Sequence, residues 1–349
     1  MKILMVGLGG IGQRHLRNLR KLLGKDDVIE AYRVRGLEQT LTDQLEIDPG
    51  MKLAAAYGLM TFSDLDAAIA SRPDAAFICN PTSLHIPVAL ALAKAGCHLF
   101  LEKPLSHTLE GVEELIQTMA RQRLVGLVGY QLRFHPCVRQ LRSWIQAGRV
   151  GRLLAVNAEV GEYLPGWHPY EDFRQMYAAR TDLGGGVILS QIHELDYLGW
   201  IFGWPQSVYA VGGHLSGLEI DVEDTASLLM RVVREGRDLP VHLHMDYIQR
   251  PPTRTCHVLG DQGKVLMDLR AATLTLLDAS GQTVEALAWP QLERNTLFLE
   301  QTAHFLQCLQ GTTLPLTPLE EGLRSLKVAL AAKISMGKGQ PIALGEIPA

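Results

Sequence analysis

A lysine at the mouth of a short apolar run, in Glu102-Lys103-Pro104 after Cys97 to Leu101, follows a glycine-rich turn near the start of the chain, Gly7-Leu8-Gly9-Gly10-Ile11-Gly12. The turn matches G-x-G-x-x-G between a strand pattern and a helix pattern, the setting in which this motif binds a dinucleotide. Its first glycine permits a tight turn, its second lets the backbone approach a pyrophosphate, and its third allows close helix packing. Phosphate oxygens would then meet N–H groups at the helix start, so Gly7, Gly9, Gly10, Ile11 and Gly12 form the expected cradle. The alternative is a tight turn with no ligand. Lys103 reaches the carboxyl edge of the same sheet, where open α/β sheets bind ligands, and is placed to touch a substrate beside the cofactor. The alternative there is a solvent-facing lysine.

The elements that must position these groups alternate in type over the first 125 or so residues, a pattern of parallel sheet covered on both faces. Strands are expected at Lys2 to Val6, Val28 to Tyr32, Ala75 to Cys79, His98 to Leu101 and Leu124 to Gly129. Helices are expected at Ile11 to Leu23, from a Ser63 cap to Ala70, at Ile86 to Ala95 and at Leu109 to Gln122. Residues 36 to 60 give no clear pattern except a short segment at Ala54 to Leu59. Beyond Gly151 the texture changes to short β-rich segments, near 154–160, 206–213, 225–234, 240–248, 255–259, 263–268 and 273–278, joined by tight turns at 234–237 and 261–263. These imply an antiparallel or mixed sheet open on one face. Helices at Asn295 to Leu309 and Leu319 to Met336 close the chain. The fold class is thus α/β: a Rossmann-type dinucleotide unit at residues 1–129, then an α+β unit at 130–349 that binds substrate and mediates oligomerisation, with the C-terminal helices free to pack back on the first.

Composition narrows the partners. Across 349 residues, 33 Lys and Arg face 37 Asp and Glu, a balance that gives no sign of a polyanion-binding or membrane-attracted face and argues against nucleic acid as a partner. The five cysteines are scattered, with no Cys-x-x-Cys pair, as expected of a cytoplasmic chain without disulfides or structural zinc. No metal set is visible, since His242 and His244 alternate on one strand pattern without further ligands. The apolar Ile3 to Val6 is broken at once by glycines and arginines and is no secretory signal.

Cys79-Asn80-Pro81-Thr82-Ser83-Leu84-His85, then Ala95-Gly96-Cys97-His98-Leu99-Phe100-Leu101-Glu102-Lys103-Pro104, then Gly184-Gly185-Gly186 leading to His193 and Asp196, complete a set with the glycine turn. Together they resemble the glucose-fructose oxidoreductase, inositol dehydrogenase and rhizopine-catabolism family, Gfo/Idh/MocA. The resemblance covers essentially the whole chain and is strongest across residues 1 to 136. It implies that the glycine turn binds NAD or NADP, that Lys103 contacts the reacting oxygen next to the nicotinamide, and that His193 acts as acid or base. Asn80, Pro81, Thr82 and His85 match the segment lining the cofactor, and Glu102 and Pro104 match positions that shape the bend there. The residue types suit hydride transfer at a carbinol carbon: histidine titrates near working pH and can take or return the hydroxyl proton. For His193 alone, the alternative is a packed helix histidine.

Two departures stand out. Where an acidic residue is expected after the second strand, the chain reads Glu30-Ala31-Tyr32-Arg33-Val34-Arg35. Arg33 or Arg35 could pair with a ribose 2′-phosphate, favouring NADP; Glu30 is the rival, holding ribose hydroxyls, and surface arginines are the third reading. The aspartate that the family usually places one helical turn before the histidine is missing, its place falling to Leu189 or Ser190. Asp196 is left to orient the imidazole or to serve packing. The loop from Glu162 to Arg180 mixes aromatic and hydrogen-bonding groups, among them Tyr163, Trp167, Asp172 and Arg174, which suits a sugar or a subunit contact. Arg133 is a candidate for an anionic substrate group, and Ser190 for a hydroxyl. The expected activity is NAD(P)-dependent oxidation or reduction of a sugar, sugar nucleotide or polyol, by a homodimer or homotetramer formed through the second sheet. The rivals are an NAD-retaining glycoside hydrolase or lyase and a dinucleotide sensor without turnover.

Overall fold

The computed structural model describes residues 1–35, 38–42, 46–48, 50 and 52–347; part of the patternless 36–60 stretch lies outside them. The first half comprises β1 (Lys2–Val6), α1 (Gly10–Leu22), β2 (Val28–Tyr32), the short pair β3 (Thr40–Leu41) and β4 (Ile47–Asp48), and α2 (Leu53–Tyr57). It continues with β5 (Met60–Phe62), α3 (Leu65–Ala70), β6 (Ala75–Ile78), α4 (His85–Lys94), β7 (His98–Leu101), α5 (Val112–Arg121) and β8 (Gly126–Val128). Strand order is β5-β2-β1-β6-β7-β8, all parallel. The order reverses between β1 and β6, so the crevice at their carboxyl ends is the topological switch point where such sheets bind ligands. The apolar strands are buried on both faces, with Ile3, Leu4, Met5, Ala75, Ala76, Phe77 and Ile78 fully enclosed, as a sheet covered by helices on each side requires. The cap of α3 is Asp64, whose carboxylate accepts from Ala67 N at 2.8 Å, and not the expected Ser63.

The second half comprises α6 (Pro136–Gln146), β9 (Leu153–Gly161), α7 (Val187–Ser190), α8 (His193–Phe202), β10 (Ser207–Gly213), β11 (Thr225–Arg234) and β12 (Arg237–Asp246). It ends with β13 (Thr253–Gly260), β14 (Gly263–Asp268), β15 (Thr273–Asp278), β16 (Thr283–Ala288), α9 (Arg294–Leu309), α10 (Leu319–Lys338) and β17 (Ile342–Ala343). The nine strands run β16-β15-β14-β13-β9-β12-β11-β10-β17. All neighbours are antiparallel except β12 and β9. Buried and exposed positions alternate along β11 and β12, one face lying on the core and the other open. The β11–β12 hairpin turns on Glu235 (φ 52°) and Gly236 (φ 73°), the double positive φ that suits the right-handed twist of paired strands. Helix α6 and strand β16 lack a counterpart in the sequence reading.

The C-terminal helices join the two sheets. Phe305 of α9 lies edge-on to the stacked pair Phe77 and Phe100, at 5.4 and 5.7 Å between centroids. Thr317, just before α10, exchanges hydrogen bonds with Val128 and so pairs the open edge of β8. One hydrophobic cluster extends from Leu4 of β1 through α6 and α8 to Leu276 of β15.

Candidate active site

The glycine turn sits at the switch point. Gly7 N donates to Tyr32 O at 3.1 Å, and with φ 83° its backbone lies so close to the β6 exit that a Cβ would meet Cys79 O and Asn80 N at 3.0 Å. A Cβ at Gly12 would come within 2.3 Å of Gly7 O, whereas one at Gly9 would meet nothing within 4 Å. Gly7 and Gly12 are therefore required by packing, and Gly9 leaves space in front of the first turn of α1, where Gly10, Ile11 and Gly12 present their amides. Asn80 Oδ1 beside this turn is buried without a hydrogen-bond partner. An open position at a helix N-terminus and an orphaned polar atom fit a dinucleotide. His85 ties the two loops of the crevice together, one ring nitrogen 3.0 Å from Asn80 O and the other 3.0 Å from Pro104 O. It braces the cradle and is itself buried, as is Thr82, which follows Pro81 at the N-cap of a short turn.

At the exit of β2 the Glu30 reading is corrected. Its buried carboxylate accepts from Ser71 Oγ at 2.6 Å and lies 3.8 Å from Lys2 Nζ, inside the strand and away from its carboxyl end. Arg33 is the residue that follows the strand, its guanidinium 3.3 Å from Glu38 Oε1; Arg35 is exposed. Glu102 is buried against α1, its Oε1 2.7 Å from His15 Nε2, and its other oxygen accepts from Lys103 N at 3.1 Å. It thus fixes the bend, which continues through a cis Lys103-Pro104 bond.

Lys103 Nζ donates to Ser190 O at 2.7 Å and lies 3.4 Å from the Tyr177 hydroxyl. The glycine run makes this approach possible. Gly185 N donates to Arg180 O and Gly186 N to Ala178 O, and a Cβ on Gly185 would be 2.4 Å from Tyr177 O. The chain thus lies flush against the 177–180 turn and brings α7 and Tyr177 to the lysine together. Helix α7 ends at Ser190 and α8 begins at His193, so the expected shared helical face between Leu189 and His193 does not exist. Ser190 meets Lys103 through its carbonyl. His193 is 5% exposed and its Nδ1 is buried without a partner, as are Ser190 Oγ and Gln191 Oε1. Burial, then the charges of Lys103, Arg254 and Arg294, hold the His193 imidazole well below its ordinary titration range. The ring is neutral at working pH and able to accept a proton.

Other expected contacts are redirected. Arg133 is 1% exposed. Its Nε and Nη2 donate to Asp196 at 2.9 and 2.7 Å, and it also donates to Glu321 and to Leu316 O. It cannot also receive a substrate anion, and Asp196 orients Arg133 in place of His193. Asp172 and Arg174 are exposed and pair with each other, Arg174 also reaching Glu219; Arg174 and Glu219 line a surface pocket with His214 and Asp221, whose lining does not include Lys103, Tyr177, Ser190 or His193. Tyr163 is covered by the Arg250 guanidinium, 4.0 Å above its ring. Trp167 is edge-on to Tyr247 at 5.3 Å with a buried, unpartnered Nε1. Tyr247 in turn donates to Ala178 O, which places both aromatics behind the Tyr177 turn. Tyr247, Gln191, Arg254 and Arg294 were not singled out by the sequence, and Tyr177 entered only as one of the aromatics of the 162–180 loop.

Residues 1–130 match the model of the oxidoreductase family with NAD-binding Rossmann fold, and residues 138–266 match the GFO/IDH/MocA C-terminal domain. The chain is 27% identical to the myo-inositol 2-dehydrogenase of Thermotoga maritima, with 99% of both chains covered. It is 26% identical to the 1,5-anhydro-D-fructose reductase of Ensifer adhaerens, over 91% of this chain and 94% of that one. Among solved structures it shares its fold with the WlbA dehydrogenase from Bordetella pertussis in complex with NADH and UDP-GlcNAcA, with TM-score 0.78, 23% identity and 98% coverage of each chain. The parallel Rossmann-type sheet and the mostly antiparallel sheet beyond it accord with the two matched domains, and the chain belongs to the GFO/IDH/MocA oxidoreductases.

Proposed function

We propose that this oxidoreductase moves a hydride between a nicotinamide dinucleotide and a carbinol carbon of a sugar or polyol, with Lys103 on the reacting oxygen and His193 as acid/base. The observation that carries the reading is the meeting of Lys103 Nζ, the Tyr177 hydroxyl and Ser190 O at the switch-point edge, next to a neutral buried imidazole. Bound in the cradle, the dinucleotide supplies the hydride acceptor or donor. Lys103, held from two sides, keeps a third donor for the substrate oxygen and stabilises charge developing on it. His193 takes the hydroxyl proton during oxidation and returns it during reduction. The names of the similar myo-inositol dehydrogenase and anhydrofructose reductase support a polyol or sugar substrate.

Arg33 follows β2 in the place of an acid and is held by Glu38, and a 2′-phosphate that displaced Glu38 from its guanidinium would let the site take NADP as well as NAD. Changing Arg33 and Arg35 together to Ala should weaken NADP more than NAD; equal losses would remove both arginines from phosphate recognition. A panel of polyols, sugars and nucleotide sugars, followed by nicotinamide absorbance, tests the activity. Net cofactor conversion is expected. Product release without net conversion would point to a hydrolase or lyase that retains NAD, and binding without either would leave a sensor.

A further inference from the structure

Tyr177 is placed by tightly packed backbone. A Cβ on Gly185 would be 2.4 Å from Tyr177 O and 2.8 Å from Ala178 O, so the 177–180 turn has no room to move toward the glycine run. Arg180 N donates to Tyr177 O and Gly186 N to Ala178 O, which also accepts from the buried Tyr247 hydroxyl at 3.3 Å. Ala178 and Ala179 are sealed in the core, whereas Tyr177 itself is half-buried. Its ring leaves this fixed turn and ends with the hydroxyl oxygen 3.4 Å from Lys103 Nζ, which donates to it.

The direction of that bond decides what the hydroxyl can still do. Its oxygen accepts from an ammonium, so its own proton must be offered elsewhere. Among the described residues that proton meets no acceptor. The carboxylates nearby are engaged: Glu223, which a Cβ on Gly186 would strike, is held by Lys333 at 3.0 and 3.1 Å, Asp182 by Arg180, and Glu102 by His15. Gln191 Oε1 and His193 Nδ1, on the segment that follows the Lys103 acceptor Ser190 O, are buried without partners. Polar groups left over in this way call for a hydroxyl-rich ligand.

The spacing of the donors says how such a ligand sits. Lys103 keeps one N–H and Tyr177 its O–H, and the two groups are already bonded to each other. A single oxygen receiving both would close a three-cornered ring, whose narrow corners bend each hydrogen bond far from the tetrahedral directions at the donors and weaken it. Two oxygens on adjacent carbons close a four-cornered ring instead, with corners wide enough for nearly straight bonds.

We infer that Tyr177 sets specificity by donating a hydrogen bond to the hydroxyl on the carbon next to the reacting carbinol, so that the substrate presents a gauche 1,2-diol with one oxygen on Lys103 and the other on Tyr177. The inference rests on the hydride-transfer reading for which of the two oxygens reacts. Calorimetric titration of the NADH-saturated protein with myo-inositol and its monodeoxy analogues tests it; with the cofactor already reduced no alcohol is oxidised, and affinity is read without turnover. Tyr177→Phe should weaken myo-inositol about fivefold, the usual worth of one neutral hydrogen bond. It should leave unaltered the affinity of one analogue, the one that lacks the hydroxyl Tyr177 receives. Tyr177→Leu repeats the comparison without the ring, and melting temperature and NADH affinity should stay unchanged in both variants. An equal loss for every analogue would mean that Tyr177 acts only by holding Lys103 and would overturn the inference. So would undiminished affinity for myo-inositol in the variants, or the absence of saturable myo-inositol binding to the unaltered protein. Turnover is scored separately with NAD. The expected pattern without NADH formed from any polyol keeps the diol contact and counts against hydride transfer, whereas NADH formation with an equal loss for every analogue keeps hydride transfer and removes the contact.

Discussion

Lys103 and His193 differ in how they are held, and the difference sets what each variant should do. Lys103 is fixed by Ser190 O and Tyr177 and has no role in the glycine cradle, so Lys103→Ala should lower kcat by about a hundredfold to a thousandfold, the usual cost of losing a donor to a developing oxyanion. NAD affinity measured by calorimetry should change little; full activity in this variant would remove Lys103 from the mechanism. His193 needs its neutral form to accept a proton, and its titration is displaced downward by burial and three cations. Oxidation should therefore persist as pH falls through about 6.5, the unperturbed histidine value, and fail only lower. An acidic limb of kcat/KM centred above that value would be inconsistent with His193 as the base. The sequence made both residues visible because each ends a recognisable local pattern. The fate of Arg133 was invisible there, because Asp196 and Glu321 come to it from 63 and 188 residues away. Those partners depend on how α8 and α10 pack, and their removal defines a further expectation. Arg133→Met should destabilise the protein by about 3–5 kcal/mol, since it leaves buried carboxylates without their cation; an unchanged urea midpoint would contradict that role.

At the scale of elements, the glycines of the βα turn separate packing from binding. Gly12→Ala drives a methyl group to within 2.3 Å of Gly7 O, while the same change at Gly9 meets no protein atom within 4 Å and keeps an ordinary backbone conformation, φ −71°. Gly9→Ala should leave the melting temperature nearly unaltered yet weaken dinucleotide affinity by tenfold or more, because its methyl group occupies the phosphate approach. Gly12→Ala should lose both stability and affinity. Equal behaviour of the two variants in melting and calorimetry would deny Gly9 its place at the pyrophosphate. The alternating strands and helices of the first half were legible because their apolar periods and turn residues are local. Helix α6 was passed over because it lies in the connection between the two sheets; its cap is a histidine, His135, whose Nδ1 accepts from Cys137 N at 3.2 Å, ahead of Pro136. Strand β16 was missed because its side chains are mostly exposed at the sheet edge, which leaves little alternation to read. The α7–α8 break that turns Ser190 O to Lys103 follows from the packing of the glycine run, which no spacing of side chains records.

Across the whole molecule, histidine burial gives stability a definite response to acid. Burial is the first cause that lowers His85, His98, His107, His135, His193, His242, His257 and His304. Only His244, bonded to Asp246, moves upward among the histidines with a shift, and it opposes the trend. The strongest contributors are the rings inside the core, His85, His135 and His193, at 1, 4 and 5% exposure. A histidine whose folded value lies below its unfolded one binds its proton in the unfolded chain first. Stability is then level above about pH 7 and declines as pH falls through about 6.5, by about 1.4 kcal/mol per pH unit for each such ring until its folded value is reached. For His135, pushed down to about 4 by burial and by Arg254, the accumulated loss is about 3 kcal/mol. Its protonation also removes the acceptor that caps α6. Urea midpoints should accordingly be flat from pH 8 to 7 and drop progressively from 6.5 to 5. His135→Asn retains an N-cap acceptor but not the titration, so it should lessen the slope by up to one proton's worth while keeping α6 intact. A midpoint unmoved down to pH 5, or a slope unaffected by His135→Asn, would mean that these rings are hydrated in solution rather than sealed between the two sheets.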